Sequence, residues 1–257
     1  MKVHFKGTRG SIPTAYSSTE INNKIVGALL AARGKDLRSE GQIKEFVDKK
    51  LPFHIGYGWG GNTPCVHVET GSEDLIFDGG SGIRSLGQEI VKGGAKNSTF
   101  HIFISHLHYD HIQGIPFFTP AYDPSNKIVF HGGHKDLEKN LKGQMKTPFF
   151  PIDMDTFNAD VSFEIHKPGE TIDLCNSLIT IIEQDHPGTS YGYRVDSKGK
   201  SMVYSTDAEH NNAAHSKEYP FINFIKGSDL LIFDAPYTHS QSIGNREHWG
   251  HSSNIMG

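Results

Sequence analysis

The feature that most constrains this chain is the join between an apolar run and a cluster of metal-binding side chains. Ile102-Phe103-Ile104 reads as a buried strand, and after Ser105 comes His106-Leu107-His108-Tyr109-Asp110-His111, four potential ligands in six residues. A chain leaving a strand in extended form places His106 and His108 on one side, with Leu107 facing the interior, and a turn then brings Asp110 and His111 round. Imidazole and carboxylate are the ligands of zinc, manganese and iron. The fold therefore has to end a buried strand at a polar edge and bring the rest of the chain around it.

The rest of the 257-residue sequence supplies material for such a fold. Apolar runs of strand length recur at Val3 to Phe5, Cys65 to Val68, Leu75 to Phe77, His101 to Ile104, Lys127 to Phe130, Leu178 to Ile182, Met202 to Tyr204 and Leu230 to Phe233. Helical spacing links Ile21, Ile25, Leu29 and Leu30, then Leu37, Ile43, Phe46 and Val47, and shorter helices are predicted over Ile83 to Val91 and Asp136 to Met145. The order implies stacked sheets flanked by helices, a single domain over residues 1–257 with a helical insertion at about 17–51. No stretch reaches the ~20 apolar residues of a membrane helix. A net charge of −4 argues against a nonspecific nucleic-acid coat. With only Cys65 and Cys175, a disulfide scaffold and a four-cysteine zinc site are excluded. The start KVHFKGTRGS lacks a secretory signal pattern, so a cytoplasmic protein is expected.

HLHYDH resembles the His-x-His-x-Asp-His signature of the metallo-β-lactamase superfamily, whose fold is an αββα four-layer sandwich with a dinuclear metal site at one sheet edge. GTRGSIP near the start, GGNTPCV at residues 60–66, LIFDGGSGI at residues 75–83, TDAEH and GHSS extend the likeness to a ribonuclease Z-like and cyclic-nucleotide phosphodiesterase-like branch. The resemblance implies that His106, His108 and His186 hold a first metal, that Asp110, His111 and His251 hold a second, and that Asp207 bridges them. It implies two divalent ions, zinc foremost with manganese or iron as alternatives. Asp78 is expected behind the site, its carboxylate accepting the spare N–H of a ligand His.

Two ions bridged by a carboxylate make hydroxide available at neutral pH and clamp an anionic oxygen. The implied activity is hydrolysis of a phosphodiester by a hydroxide bridging two metal ions, with Asp110 or Asp207 steering its proton. A small phosphodiester or nucleotide is the expected substrate. RNA is less favoured, because Phe233 stands where the ribonuclease Z-like pattern has a His that helps protonate the leaving oxygen, which leaves that help to a metal, water or another imidazole, His239 or His248 being nearest in sequence. The alternatives are a thioester or lactam hydrolase of the glyoxalase II or β-lactamase type, and a noncatalytic metal-binding sensor. The helical insertion is expected near the site mouth as a lid or a dimer contact. Because the resemblance implies a further helix and strand beyond GHSS, a truncated chain or an unusually short member is expected, with one sheet edge or face incompletely covered and open to sealing by a partner chain in a homodimer. Lys127, Lys135, Lys139, Lys142 and Lys146 read as a solvated face, and His131, His134 and His210 as surface residues.

Overall fold

Alternation along the central strands sets the layering. In the computed structural model, which describes residues 1–257 except 59, 72, 211–213, 215, 239–248 and 256–257, one sheet contains β1 (Lys2–Gly7), β2 (Cys65–Glu69), β3 (Asp74–Phe77), β4 (Thr99–Phe103), β5 (Lys127–Gly132) and β6 (Asp160–Ile165) in that order. β3 to β6 run parallel, while β1, β2 and β3 pair antiparallel. The second sheet has the order β11 (Leu230–Phe233), β10 (Lys200–Ser205), β9 (Ser190–Ser197), β8 (Ser177–Gln184) and β7 (Thr171–Leu174).

On β3 and β4, Leu75, Phe77 and Phe103 point between the sheets and pack with Ile179, Ile181, Tyr193, Val195, Met202 and Tyr204. Their neighbours Ile76, Phe100 and Ile102 point the other way, against Ile83 and Leu86 of α4 (Gly82–Lys92) and near Leu137 and Leu141 of α6 (Leu137–Gln144). Both faces of these parallel strands are thus covered, which is why they read as near-continuous apolar runs. On the outer face of the second sheet, Arg194 Nη1 donates to the carbonyls of Phe224 and Lys226 at 2.8 and 3.0 Å, pinning the end of α7 (Pro220–Ile225). The expected αββα sandwich is the architecture observed. No helix among the described residues is long and apolar enough to cross a membrane.

The predicted helices form over α1 (Ser18–Ala32) and α2 (Glu40–Lys50), each opened by a capping box, Ser17 with Glu20 and Ser39 with Gln42. Their apolar residues are not buried, however: Ile25 is 54% exposed and Leu29 67%. Capping and spacing specify a helix locally, but burial needs a partner, and α1 packs chiefly on the single turn α3 (Phe53–Gly56), where Gly27 admits Ile55. Apolar runs also pass over β9, because Tyr191, Tyr193 and Val195 face inward while Arg194 and Asp196 pair on the outside at 2.9 Å. The surface reading of His131 is corrected: it occupies an inward position of β5, 1% exposed and stacked on Phe103 at 4.4 Å. His210 is likewise sunk, stacked on Phe221 and Phe233 at 4.3 and 5.3 Å.

Phe77 is the keystone of the inter-sheet core, its ring 5.2 Å from Phe103, 5.7 Å from Tyr193 and 5.6 Å from Tyr204. Phe77→Ala is expected to cost about 3–5 kcal/mol in urea unfolding, through lost transfer energy and a cavity. A loss under ~1 kcal/mol would mean that the two sheets do not meet on this ring.

Candidate metal centre

The parallel strands of the first sheet deliver their carboxyl ends to one edge, the usual position for a site in such sheets. β3 ends in Asp78, held at φ 62°, and β4 runs into Ser105 and the histidine loop. The Asp78 side chain is fully buried and accepts four hydrogen bonds: from Ser105 N at 2.7 Å, Ser105 Oγ at 2.8 Å, Tyr204 OH at 2.7 Å and His111 Nδ1 at 2.6 Å. One carboxylate therefore ties β3, the loop after β4 and β10 together, and it fixes the tautomer of His111. With Nδ1–H donated to Asp78, Nε2 is the ring atom turned to the site, where a cation that displaces its proton would meet the lone pair.

That Nε2 is buried with no hydrogen-bond partner, 3.5 Å from Asp110 Oδ2 and 3.5 Å from Asp207 Oδ1. A second set of lone pairs meets beside it. His186 Nδ1 donates to the carbonyl of Gly250 at 2.8 Å, which leaves Nε2 as an acceptor, and this atom lies 3.1 Å from His108 Nδ1. His106 Nε2 lies 3.0 Å from the same His108 Nδ1. A single N–H on His108 can at best be shared between the two facing nitrogens, whereas a cation takes all three lone pairs directly. Asp207 Oδ2 lies 3.6 Å from His106 Nε2 and 3.7 Å from His186 Nε2, so the ligand atoms of His106, His108, His186 and Asp207 fall within 4.8 Å of one another.

The electrostatics agree with this donor set. Burial, reinforced by the neighbouring His111, holds the His106 imidazole far below its ordinary pKa, so it is neutral with its lone pair available. Burial opposes charge on His111 too, but Asp78, Asp110 and Asp207 outweigh it and raise its pKa well above the ordinary value. Burial pushes Asp207 up, and its contacts with His111 more than reverse this, holding it as a carboxylate. The site thus favours positive charge at its middle.

All seven residues named from the sequence, His106, His108, Asp110, His111, His186, Asp207 and His251, lie at this edge. The first four come from the loop and the single turn α5 (Tyr109–Ile112), His186 from the turn after β8, and Asp207 from the end of β10 in a left-handed conformation, φ 46°. His251 stands at the margin, its Nδ1 4.0 Å from Asp207 Oδ2 and 2.6 Å from Asp234 Oδ2. Sequence reading did not give Asp234 a role. Its position at the end of β11, parallel to β10, is the signal that could have shown it. Ser11 was also missed, and its backbone N–H donates to Asp110 Oδ2 at 2.7 Å. His239 and His248 fall outside the described residues.

Sandwich and donor set together define a metallo-β-lactamase-fold protein with a histidine and aspartate centre. Residues 77–255 match the β-lactamase superfamily domain, and the chain belongs to the metallo-β-lactamase superfamily, in its ribonuclease Z-like branch. It is 27% identical to the ribonuclease Z of Haloarcula marismortui over 54% of this chain and 44% of that one, and 27% identical to that of Staphylococcus carnosus over 71% and 58%. The chain spans about half the length of the curated relatives it matches. Among solved structures, human tRNase Z, short form, superimposes with a TM-score of 0.59 at 17% identity, covering 100% of this chain and 86% of that one. A diphosphatase of the PhnP family gives 0.53 at 22%, covering 75% and 66%.

Asp78→Asn replaces an acceptor-only carboxylate with an amide that cannot satisfy all four donors. Zinc affinity is expected to fall about 10- to 100-fold, read by competition with a chelator, as for other groups that orient a ligand His. Unchanged affinity in a folded variant would remove Asp78 from the centre.

Proposed function

We propose that this chain is a metal-dependent hydrolase, specifically a phosphodiesterase that works with two divalent ions, zinc first. The observation that carries the reading is the convergence of the His106, His108 and His186 ring nitrogens on Asp207, beside the partnerless Nε2 of His111. His106, His108 and His186 would hold one ion, Asp110, His111 and His251 the other, and Asp207 would bridge. Bound there, two such ions supply hydroxide at neutral pH and a clamp for an anionic oxygen. The chain's own carboxylates, Asp110 and Asp207, would orient the attacking water and accept its proton, while Asp234 keeps His251 turned toward the centre.

The relatives support this substrate class: ribonucleases Z are among them, and a PhnP-family diphosphatase shares the fold. Within that class a nucleotide or other small diester is favoured over RNA. Phe233 cannot donate a proton to a poor leaving oxygen, and its ring is committed to stacking on His210 at 5.3 Å. General acid catalysis is typically worth ~10²- to 10⁴-fold, so activated diesters suit this site best. The Ser11 contact to Asp110 ties the root of the α1–α3 segment to the centre, where the segment can restrict substrate size.

The test is turnover of bis-p-nitrophenyl phosphate, an RNA, a thioester and a cephalosporin by the zinc- or manganese-loaded protein. Expected is hydrolysis of the aryl diester above all others, reduced at least ~10²-fold in His106→Ala. Preferential thioester or lactam turnover would overturn the substrate class, and no turnover by metal-loaded protein would overturn the hydrolase.

A further inference from the structure

The inter-sheet core contains a polar row that the centre does not use. His101 on β4, His131 on β5 and His166 just beyond β6 are 6%, 1% and 7% exposed. His101 Nδ1 meets His131 Nε2 at 2.9 Å, and His131 Nδ1 meets His166 Nε2 at 3.0 Å. Carboxylates close both ends, with Glu170 Oε1 3.1 Å from His166 Nδ1 and Glu73 Oε2 3.1 Å from His101 Nε2.

Hydrogen counting exposes a deficit. Each of the four contacts needs one hydrogen, carboxylates only accept, and three neutral imidazoles carry one N–H each. One positive charge is missing from the row. An imidazolium at His101 or His131 is disfavoured, because burial lowers the pKa of His101 and takes that of His131 down to about 2. If each ring donates toward Glu170, the deficit falls at the Glu73 end, where the His101 Nε2 lone pair faces a carboxylate oxygen.

A thiol stands at that same oxygen. Cys175 Sγ lies 3.1 Å from Glu73 Oε2, carried by the two-residue turn between β7 and β8. Cys175 and Asn176 both have φ 55°, the left-handed pair of a type I′ turn, where Asn-Gly is the favoured sequence and a Cys is costly. His101, Glu73 and Cys175 each offer a ligand atom within 4.8 Å of the others. In tetrahedral zinc, bond lengths of ~2.0–2.3 Å put ligand atoms ~3.4 Å apart, close to the spacings found here.

We propose that Glu73, His101 and Cys175 form a second metal site for a thiophilic divalent ion such as zinc, separate from the histidine and aspartate centre. His101 lies five residues before His106, ~16 Å along an extended strand, so the two sites sit at different levels of the sandwich. On binding, the Cys175 thiol gives its proton to solvent and the sulfur–metal bond forms. The ion supplies the missing charge, His131 and His166 stay neutral, and the β7–β8 hairpin of one sheet is clipped to β4 of the other.

Cobalt titration of metal-free protein tests this directly, since a thiolate ligand gives a sulfur-to-cobalt charge-transfer absorption in the near ultraviolet. The histidine and aspartate centre contains no sulfur, and Cys65 is fully buried in the apolar cluster beneath α4. The band should saturate with one equivalent at its site in the native chain and in His106→Ala. It should vanish in Cys175→Ser while hydrolysis of the aryl diester is unchanged, and Glu73→Gln should weaken its cobalt affinity at least ~10-fold. Cys175→Gly, which suits the left-handed turn, keeps the test available if the serine variant misfolds. A cobalt-saturated native chain without the band, or a band that survives in the Cys175 variants, overturns the proposal.

Discussion

Asp78 is the constraint on which the rest of the structure depends. A carboxylate taken out of water costs on the order of several kcal/mol unless it is fully hydrogen-bonded. Here the four donors come from Ser105, Tyr204 and His111. Ser105 fixes where β4 stops, Tyr204 brings β10 of the second sheet into register with the first, and His111 is turned so that its free nitrogen faces Asp110 and Asp207. Sheet packing and ligand geometry thus share one group. This explains why a buried Asp stands directly after an apolar strand, and why its left-handed backbone is tolerated.

From that anchor the centre is assembled by pairs in which one atom of each imidazole is spoken for. Asp78 takes His111 Nδ1 and the Gly250 carbonyl takes His186 Nδ1, while Asp234 takes His251 Nδ1. The first two leave their Nε2 atoms pointing inward, which is what a metal centre needs and what a hydrogen-bonded polar core would avoid. The row of His101, His131 and His166 follows the same accounting with the opposite result: its contacts are closed along the row and fall one hydrogen short at the Glu73 end. In both places the polar atoms of the core become intelligible when a cation is supplied.

Much of this was legible in the sequence because chemistry and local pattern coincide there. The apolar runs of β3, β4 and β5 are doubly buried parallel strands, and HLHYDH follows one of them at the sheet edge. The capping boxes of α1 and α2 are also local, but the exposure of Ile25 and Leu29 is not, since burial depends on which element lies opposite. β9 escaped because its inward Tyr191, Tyr193 and Val195 alternate with polar residues. Asp234, Ser11 and the His101 row escaped for a different reason: their partners are distant in sequence, and only strand register brings Phe103 opposite His131 or β10 beside β11.

Whether the His106 edge is a metal centre or a polar pocket is decided by what it binds. Metal content settles it most directly when measured by elemental analysis on the folded Cys175→Ser chain, where the thiolate site does not contribute. About two divalent ions per chain are expected after reconstitution with zinc and removal of excess metal, as in dinuclear hydrolases. A folded chain that takes up none would contradict it.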